Sequence, residues 1–463
     1  GEHVVRLGGR HGNERWRALV FEKILVANRG EIAVRVIRAC KEMGVQTVAV
    51  FSTADAGSYH VQVADEAWCI GGPRPADSYL NMDAIITVAV ESGATAIHPG
   101  YGFLSESAEF ARKCRDCGVV FVGPSPEVIE CMGDKDEARR TAKAAGVPIV
   151  EGSDLLSDAD EAEREAKRIG FPLLIKARAG GGGRGIRKVE SLEKVRSSFQ
   201  EASSEASSAF GDGGCYMERF ISPAHHVEVQ ILGDAHGNVV SLGERECSVQ
   251  RRNQKLLEES PSPSITQAVR EHMHRAARDL ARSVNYLGVG TIEYLYSDSD
   301  ETFAFMEMNT RLQVEHPVTE FVSGLDLVKW QLRVAAENEL AFTQDDIHIR
   351  GHAIECRLNA ETPDFLPSCG TVETLHIPGG PWVRFDTALY QGVTVPPYYD
   401  SMLGKLIVFA PTREECVRKA RSALGEFVVE GISDNSELQL DILSNDAFIS
   451  GMYHTNLMEH LYE

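Results

Sequence analysis

The sequence predicts an α/β and α+β chain of three domains. Three observations carry this reading: the length, an opening alternation of short apolar strands with amphipathic helices, and a middle segment in which strand follows strand with few helices between. The 463 residues leave room for roughly three domains of about 150 residues each. Hydrophobic residues make up 43% of the chain, enough to fill several cores. Asp and Glu outnumber Lys and Arg by 68 to 47, for a net charge of -21. That balance argues against nucleic acid or anionic lipid as a partner, and any anionic substrate must be held by local clusters of Lys and Arg.

Residues 1–19 mix Arg, His, Glu and Gly without the apolar stretch of a secretory signal, and are expected to form a flexible leader. No apolar run approaches the roughly 18 residues of a membrane span. The ten cysteines are scattered through apolar and helical contexts, the usage of reduced thiols in a cytoplasmic protein. Cys114 and Cys117 form a CxxC, but no second pair stands at zinc-site spacing and the surroundings suit one amphipathic helix.

The first domain, residues 20–133, opens with an apolar strand at 24–27. A helix follows with Ile32, Val36, Cys40 and Met43 along one stripe, then a strand at 47–51. This βαβ pattern implies a parallel sheet with covering helices, extended by strands at 94–97 and 119–122. The turn Asn28-Arg29-Gly30-Glu31 lacks the glycines of a dinucleotide fingerprint, so a Rossmann-like sheet is expected and NAD binding is not. A central domain, residues 134–349, begins with a helical run from Asp134 to Ala145 closed by Gly146-Val147-Pro148. A strand at 172–177 runs into Gly180-Gly181-Gly182-Gly183-Arg184-Gly185. A helix reaches about residue 210, and strands at 227–232, 290–296 and 302–313 make this region mainly antiparallel. The last domain, residues 350–463, carries short strands, a Pro-rich loop at 395–400 and one long helix from Thr412 to about Val428.

Three stretches carry chemistry. The glycine run is no P-loop, because Arg184-Gly185-Ile186-Arg187-Lys188-Val189 continues as a strand where a Lys-Ser or Lys-Thr and a helix would be needed. A plain linker is the bland alternative. The position between two strands, with Lys176 before and Arg184 after, favours a phosphate-covering hairpin whose backbone N–H groups can close on oxygens unobstructed. The second stretch runs from Phe305 to His316. In extended chain Glu307, Asn309, Arg311, Gln313 and Glu315 would share one face, with Met306, Met308, Leu312 and Val314 on the other. An ordinary half-exposed strand also alternates. An acid, an amide, a base, an amide and an acid in one row are more specific than the interchangeable residues of a solvated face. Glu293 on the neighbouring strand can face Glu307 and Asn309, and such oxygen ligands suit Mg²⁺ or Mn²⁺ bound with a nucleotide. The third stretch is the basic cluster Gln250-Arg251-Arg252-Asn253-Gln254-Lys255, which taken alone could be a solvated face.

With these residues in view, the chain from about Phe21 to its end resembles the biotin carboxylase family of the ATP-grasp superfamily. The likeness is carried by residues 24–33, 98–106 (His98-Pro99-Gly100-Tyr101-Gly102-Phe103-Leu104-Ser105-Glu106), 180–185, 244–255, 307–317 and 399–405. The resemblance implies a Rossmann-like N-terminal domain, an ATP-grasp central domain with a mobile Gly-rich lid at about 152–218, and a mixed α+β C-terminal domain. It implies that Lys135, Lys176 and His226 contact ATP phosphates, that Gly182 and Gly183 close over them, and that Glu218, Arg219, Phe220 and Ile221 form the adenine hinge. Gln250 and Asn253 would join that nucleotide site. Glu293, Glu307 and Asn309 would hold two Mg²⁺ or Mn²⁺ ions. Lys255, Arg311, Gln313 and the Val314 backbone would bind bicarbonate, Glu315 would act as its base, and Arg357 would meet the ureido oxygen of biotin. Two positions depart from the family: Asn253 stands where many members have His, and Arg219 where Lys is frequent.

The implied activity is ATP-dependent carboxylation of biotin carried on a biotin carboxyl carrier protein. No Ala-Met-Lys-Met attachment motif is present, so a subunit serving a separate carrier, with carboxyltransferase subunits and as a homodimer, is expected. Acetyl-CoA carboxylase is the expected setting, and another acyl-CoA or pyruvate carboxylase the alternative. Two rivals are an ATP-grasp ligase joining a carboxylate to an amine and a non-catalytic nucleotide-binding subunit. The row from Arg311 to Glu315 and Arg357 argue against the first, the retained carboxylates against the second.

Overall fold

The computed structural model describes residues 4–5, 20–178 and 185–462. The N-terminal sheet has five strands, all paired parallel, in the order Glu66–Gly71, Gln46–Ser52, Lys23–Val26, Ala96–His98, Val120–Phe121. Ile24, Leu25 and Val26 are buried because helices cover both faces, which is why this strand is apolar without alternation. The helix Gly30–Glu42 buries Ile32, Val36 and Cys40 as the stripe requires. The chain moves outward from the Lys23–Val26 strand in one direction and then returns to its other side, which places a crevice at the carboxyl ends of Lys23–Val26 and Ala96–His98. There the Asn28 side-chain amide donates to the Pro99 and Tyr101 carbonyls at 2.8 and 2.7 Å and fixes the loop leading to Glu106.

Ahead of this domain, Val4–Val5 pairs antiparallel with Val20–Phe21, so part of the stretch expected to be a leader lies in a short β-ribbon. Among the described residues no helix is long and apolar enough to cross a membrane. Cys114 is buried in the helix Ala108–Asp116, and Cys117 caps it.

The middle and last segments share one antiparallel sheet of eight strands. Its order is Thr302–Asn309, Gly288–Ser297, His225–Gly233, Val239–Arg251, Gln254–Ser260, His352–Asn359, Met402–Ala410, Val383–Thr387. Arg252 and Asn253, at φ +50° and +63°, form the two-residue turn between its middle strands, a conformation that Asn tolerates well.

A smaller three-stranded sheet, Cys215–Arg219 beside Leu173–Ala177 beside Ile186–Val189, packs with the helices Ala159–Ile169 and Val195–Phe210 around a core of its own. The strands on either side of the glycine run pair antiparallel: Lys176 pairs with Ile186, and Gly185 turns at φ +73° with the Ala177 side chain against it. Gly182 and Gly183 themselves lie outside the described residues.

The three-domain α/β and α+β expectation holds, with one element corrected. The strand expected over 302–313 ends at Asn309. Beyond it the chain turns and starts the helix His316–Ser323, with Pro317 in its first turn and Glu315 at its N-cap. The polar row is therefore not one strand face, although its members do converge.

Candidate active site

Cross-strand register builds the floor of the site. Arg245 pairs with Glu228, Glu228 with Glu293, and Glu293 with Glu307, so one guanidinium and three carboxylates stand in a row across four strands. Directly paired residues point to the same face, and like charges so placed repel unless cations intervene. A bulge at Met306 shifts the register by one residue between the Glu293–Glu307 and Tyr294–Phe305 pairs and leaves that methionine exposed. The fully buried Arg245 donates to Glu228, to Gln230 at 2.6 Å and to Thr291 at 3.1 Å.

Lys255 is the second cation. Its Nζ lies 2.6 Å from Glu228, 3.0 Å from Glu293 and 2.7 Å from Glu315. Glu315 is 1% exposed, and its other oxygen accepts from Arg357 at 2.9 Å. Arg357 in turn donates to Glu258 at 2.6 Å. Burial opposes ionisation of Glu315, but Lys255 and Arg357 overcome it and hold the carboxyl well below its usual range. The helix that starts at His316 favours the same charge. Burial would neutralise Lys255, and the three surrounding carboxylates keep it charged instead.

Arg311 closes one side. It donates to Gln313 at 2.7 Å and Asn309 at 3.1 Å, and Glu106 of the N-terminal domain grips it at 2.9 Å. Asn309 and Gln313 donate to Glu293 at 2.9 and 3.0 Å. The Val314 carbonyl accepts from Lys405 at 2.7 Å, and the buried Lys405 also lies 3.2 Å from Glu31. His226 Nε2 stands 3.0 Å from Glu293.

Glu307 differs from its neighbours. Burial, and then the charge of Glu293 opposite, raise its pKa, with Lys135 pulling the other way. Lys135, Glu307, Asn309 and Glu106 line a cavity of about 200 Å³. A larger cavity of about 710 Å³, lined by residues such as Phe121, Val239 and Tyr286, contains none of the expected site residues. Glu293, Glu307 and Asn309 offer the hard oxygen donors that Mg²⁺ or Mn²⁺ takes, and a dication there would remove the repulsion that lifts Glu307. The residues fit the metal.

The nucleotide-side residues are more dispersed. Lys176 sits on the small sheet in an ion pair with Glu218. At the expected hinge, the amides of Arg219 and Phe220 already donate to Glu151 at 2.8 Å and Pro172 at 3.1 Å, so these two N–H groups are spent within the small domain. Gln250 is half-buried opposite Lys255, and Asn253 is exposed at its turn. Sequence reasoning missed Glu106, Glu228, Arg245 and Lys405. Glu106 and Lys405 stand inside stretches that resemble the family, and Glu228 follows His226 by two residues on a strand, which puts both on one face.

Three family models match the chain. One described as "Biotin carboxylase, N-terminal domain" matches residues 20–129, "Carbamoyl-phosphate synthase L chain, ATP binding domain" matches 134–343, and "Biotin carboxylase C-terminal domain" matches 355–460. Biotin carboxylase 1 of Bacillus subtilis is 51% identical over 443 residues, 95% of this chain and 98% of that protein. The chain belongs to the biotin carboxylase family. Its enzyme class is that of the ATP-dependent carbon–nitrogen ligases that carboxylate biotin with bicarbonate. Among relatives of wider setting, a pyruvate carboxylase subunit of Methanothermobacter thermautotrophicus is 48% identical, covering 95% of this chain and 90% of that one. A Campylobacter jejuni biotin carboxylase in complex with β,γ-ATP superposes at a TM-score of 0.91, with 45% identity over 95% of this chain and 98% of that one. The biotin carboxylase domain dimer of Hydrogenobacter thermophilus 2-oxoglutarate carboxylase, solved with MgADP, ADP and bicarbonate, reaches 0.90, with 48% identity over 96% and 99%.

Proposed function

We propose that this chain carries out the first half-reaction of acetyl-CoA carboxylase, carboxylating biotin on a carrier protein by way of carboxyphosphate. The observation that carries the reading is the placement of Glu315 between Lys255 and Arg357: a buried, ionised carboxylate flanked by two cations from separate strands. Bicarbonate is a poor nucleophile until a base takes its proton, and Glu315 is held in the state that can accept it. Lys255 and Arg311 stand where they can pair with the anion, Arg311 in the two-point geometry of a guanidinium, with Gln313 and the Val314 amide completing the pocket.

Lys135, Lys176 and His226 would neutralise the triphosphate, which requires Lys176 to exchange Glu218 for phosphate. Glu293, Glu307 and Asn309 would hold two Mg²⁺ or Mn²⁺ ions, which supply charge neutralisation during phosphoryl transfer. Carboxyphosphate yields CO₂ and phosphate, the phosphate removes the ureido proton of biotin, and Arg357 stabilises the enolate oxygen. A homodimer with separate carrier and carboxyltransferase subunits is the assembly we infer, supported by the dimer of the Hydrogenobacter relative.

A second reading, a biotin carboxylase subunit of a pyruvate or 2-oxoglutarate carboxylase, is favoured by relatives of those enzymes at 48% identity. Two assays separate the possibilities. Isotope-labelled bicarbonate should enter free biotin only with ATP and Mg²⁺, and ATP cleavage without labelled biotin would overturn the reaction. Supplying biotinylated carrier and carboxyltransferase with acetyl-CoA, pyruvate or 2-oxoglutarate then identifies the acceptor, and labelling of a keto acid alone would overturn the acetyl-CoA assignment.

A further inference from the structure

Away from the carboxylate row, at the start of the His225–Gly233 strand, two imidazoles and a carboxylate meet. His225 begins the strand, Asp298 lies in the turn after Gly288–Ser297, and His454 comes from the C-terminal tail. Asp298 Oδ2 is 3.5 Å from His225 Nε2 and 3.0 Å from His454 Nε2, and the three ligand atoms all lie within 4.8 Å of one another. The rings of His225 and His454 approach to 4.5 Å between centroids.

His225 is 1% exposed, and among the described residues its Nε2 has only the long 3.5 Å ion-pair approach to Asp298, with no hydrogen bond of ordinary length. Leaving a buried ring nitrogen unsatisfied is costly unless something else occupies its lone pair. The opposite nitrogen, Nδ1, is 3.3 Å from Glu246, a fully buried carboxylate that also accepts from Ser262 at 2.6 Å and from Ser248. A carboxylate on one imidazole nitrogen fixes the tautomer that turns the other nitrogen into a metal ligand. A tetrahedral Zn²⁺ with ligands at about 2.0–2.1 Å sets adjacent ligand atoms about 3.3 Å apart, close to the spacings found here. Mg²⁺ would not choose two imidazoles, whereas a borderline ion of the zinc class does.

We propose that His225, Asp298 and His454 bind one Zn²⁺-class ion, which fastens the C-terminal tail to the central sheet. Asp298 and His454 are partly exposed, so water can take the fourth position. The tail is aligned for this role, because the Thr455 amide donates to the Ala224 carbonyl at 3.0 Å and the Tyr453 hydroxyl to Glu259 at 2.6 Å. The site uses none of the residues assigned to ATP, bicarbonate or biotin, so it stands independently of the proposed reaction.

The test is Zn²⁺ titration of the metal-stripped full chain in excess MgADP, followed by calorimetry and by the visible spectrum of Co²⁺ as a substitute ion. Wild type should bind one equivalent with a tetrahedral Co²⁺ spectrum, and Zn²⁺ should raise its Tm. His454→Ala and Asp298→Asn, both at partly exposed positions, should each weaken that binding by roughly 100-fold or more while leaving ATP cleavage unchanged. Zn²⁺ uptake that is the same in wild type and both variants, as expected of binding at the catalytic carboxylates, would overturn the proposal. So would a wild type that takes up no ion, which would make the cluster a hydrogen-bonded ion pair only.

Discussion

On the small glycine-rich domain, Arg196 reaches Asp160 and Glu163, and Arg178 reaches Asp212, across surfaces that water covers. On the central sheet, Lys255 meets three buried carboxylates. Exposed pairs contribute little and fade with salt. Buried charges are expensive to desolvate, and hydrophobic replacements would often be more stable, so a buried network is weak evidence for stability. What it supplies is orientation. The sheet holds its charges in fixed positions before any ligand arrives, as the proposed reaction requires. The small domain keeps a core of its own, which suits a part that moves.

The largest effect should come from removing the proposed base. Glu315→Gln should lower bicarbonate-dependent ATP cleavage about 100- to 10,000-fold with nucleotide affinity kept, as measured by steady-state kinetics and ADP titration. Near-normal turnover would mean that the buried network is structural only.

Stability separates the two regions next. Lys255→Ala strands three carboxylates and should cost about 3–5 kcal/mol in denaturant unfolding, besides abolishing bicarbonate-dependent cleavage. Arg196→Ala on the small domain should leave the unfolding midpoint where it was. Similar losses from both would erase the contrast.

Acid should attack the sheet in a definite window. Burial works against ionisation of Glu259, but His352 and Arg413 overcome it and lower its pKa from 4.5 to about 2. The stability it contributes is present above pH 4.5 and is lost as pH falls toward about 2, a change on the order of 3 kcal/mol. Glu259→Gln should flatten that limb of the stability–pH curve, and an unchanged acid limb would remove Glu259 from the account.

Within the carboxylate row, the smallest effect on folding belongs to Glu307. Glu307→Gln relieves repulsion with Glu293 and should leave the ligand-free protein as stable, or more stable by up to about 1 kcal/mol. Cleavage measured across Mg²⁺ concentrations should nevertheless fall most at low Mg²⁺. Unchanged cleavage there would take Glu307 out of the metal site.

The sequence made the sheets legible wherever periodicity is local. The parallel strands of the first domain were apolar and bounded by turn residues, and the pairing of Glu293 with Glu307 followed from two adjacent strands. Register across distant segments was not legible. Nothing local announces that Arg245 stands beside Glu228, that Glu106 will grip Arg311 from another domain, or that His352–Asn359 will extend the central sheet. The alternation from Glu307 to Glu315 picked out residues that do converge, but not on one strand face: the strand stops at Asn309, and Glu315 arrives through a turn and a helix start that Pro317 favours.

The measurement closest to the central claim is hydrogen exchange with and without MgATP. A prebuilt floor and a ligand-ordered lid predict slower exchange across residues 152–218 on nucleotide binding, with the strands carrying Glu228, Glu293 and Lys255 already protected and little changed. Equal protection of residues 152–218 in both states, or a central sheet that gains as much protection as the lid, would contradict it.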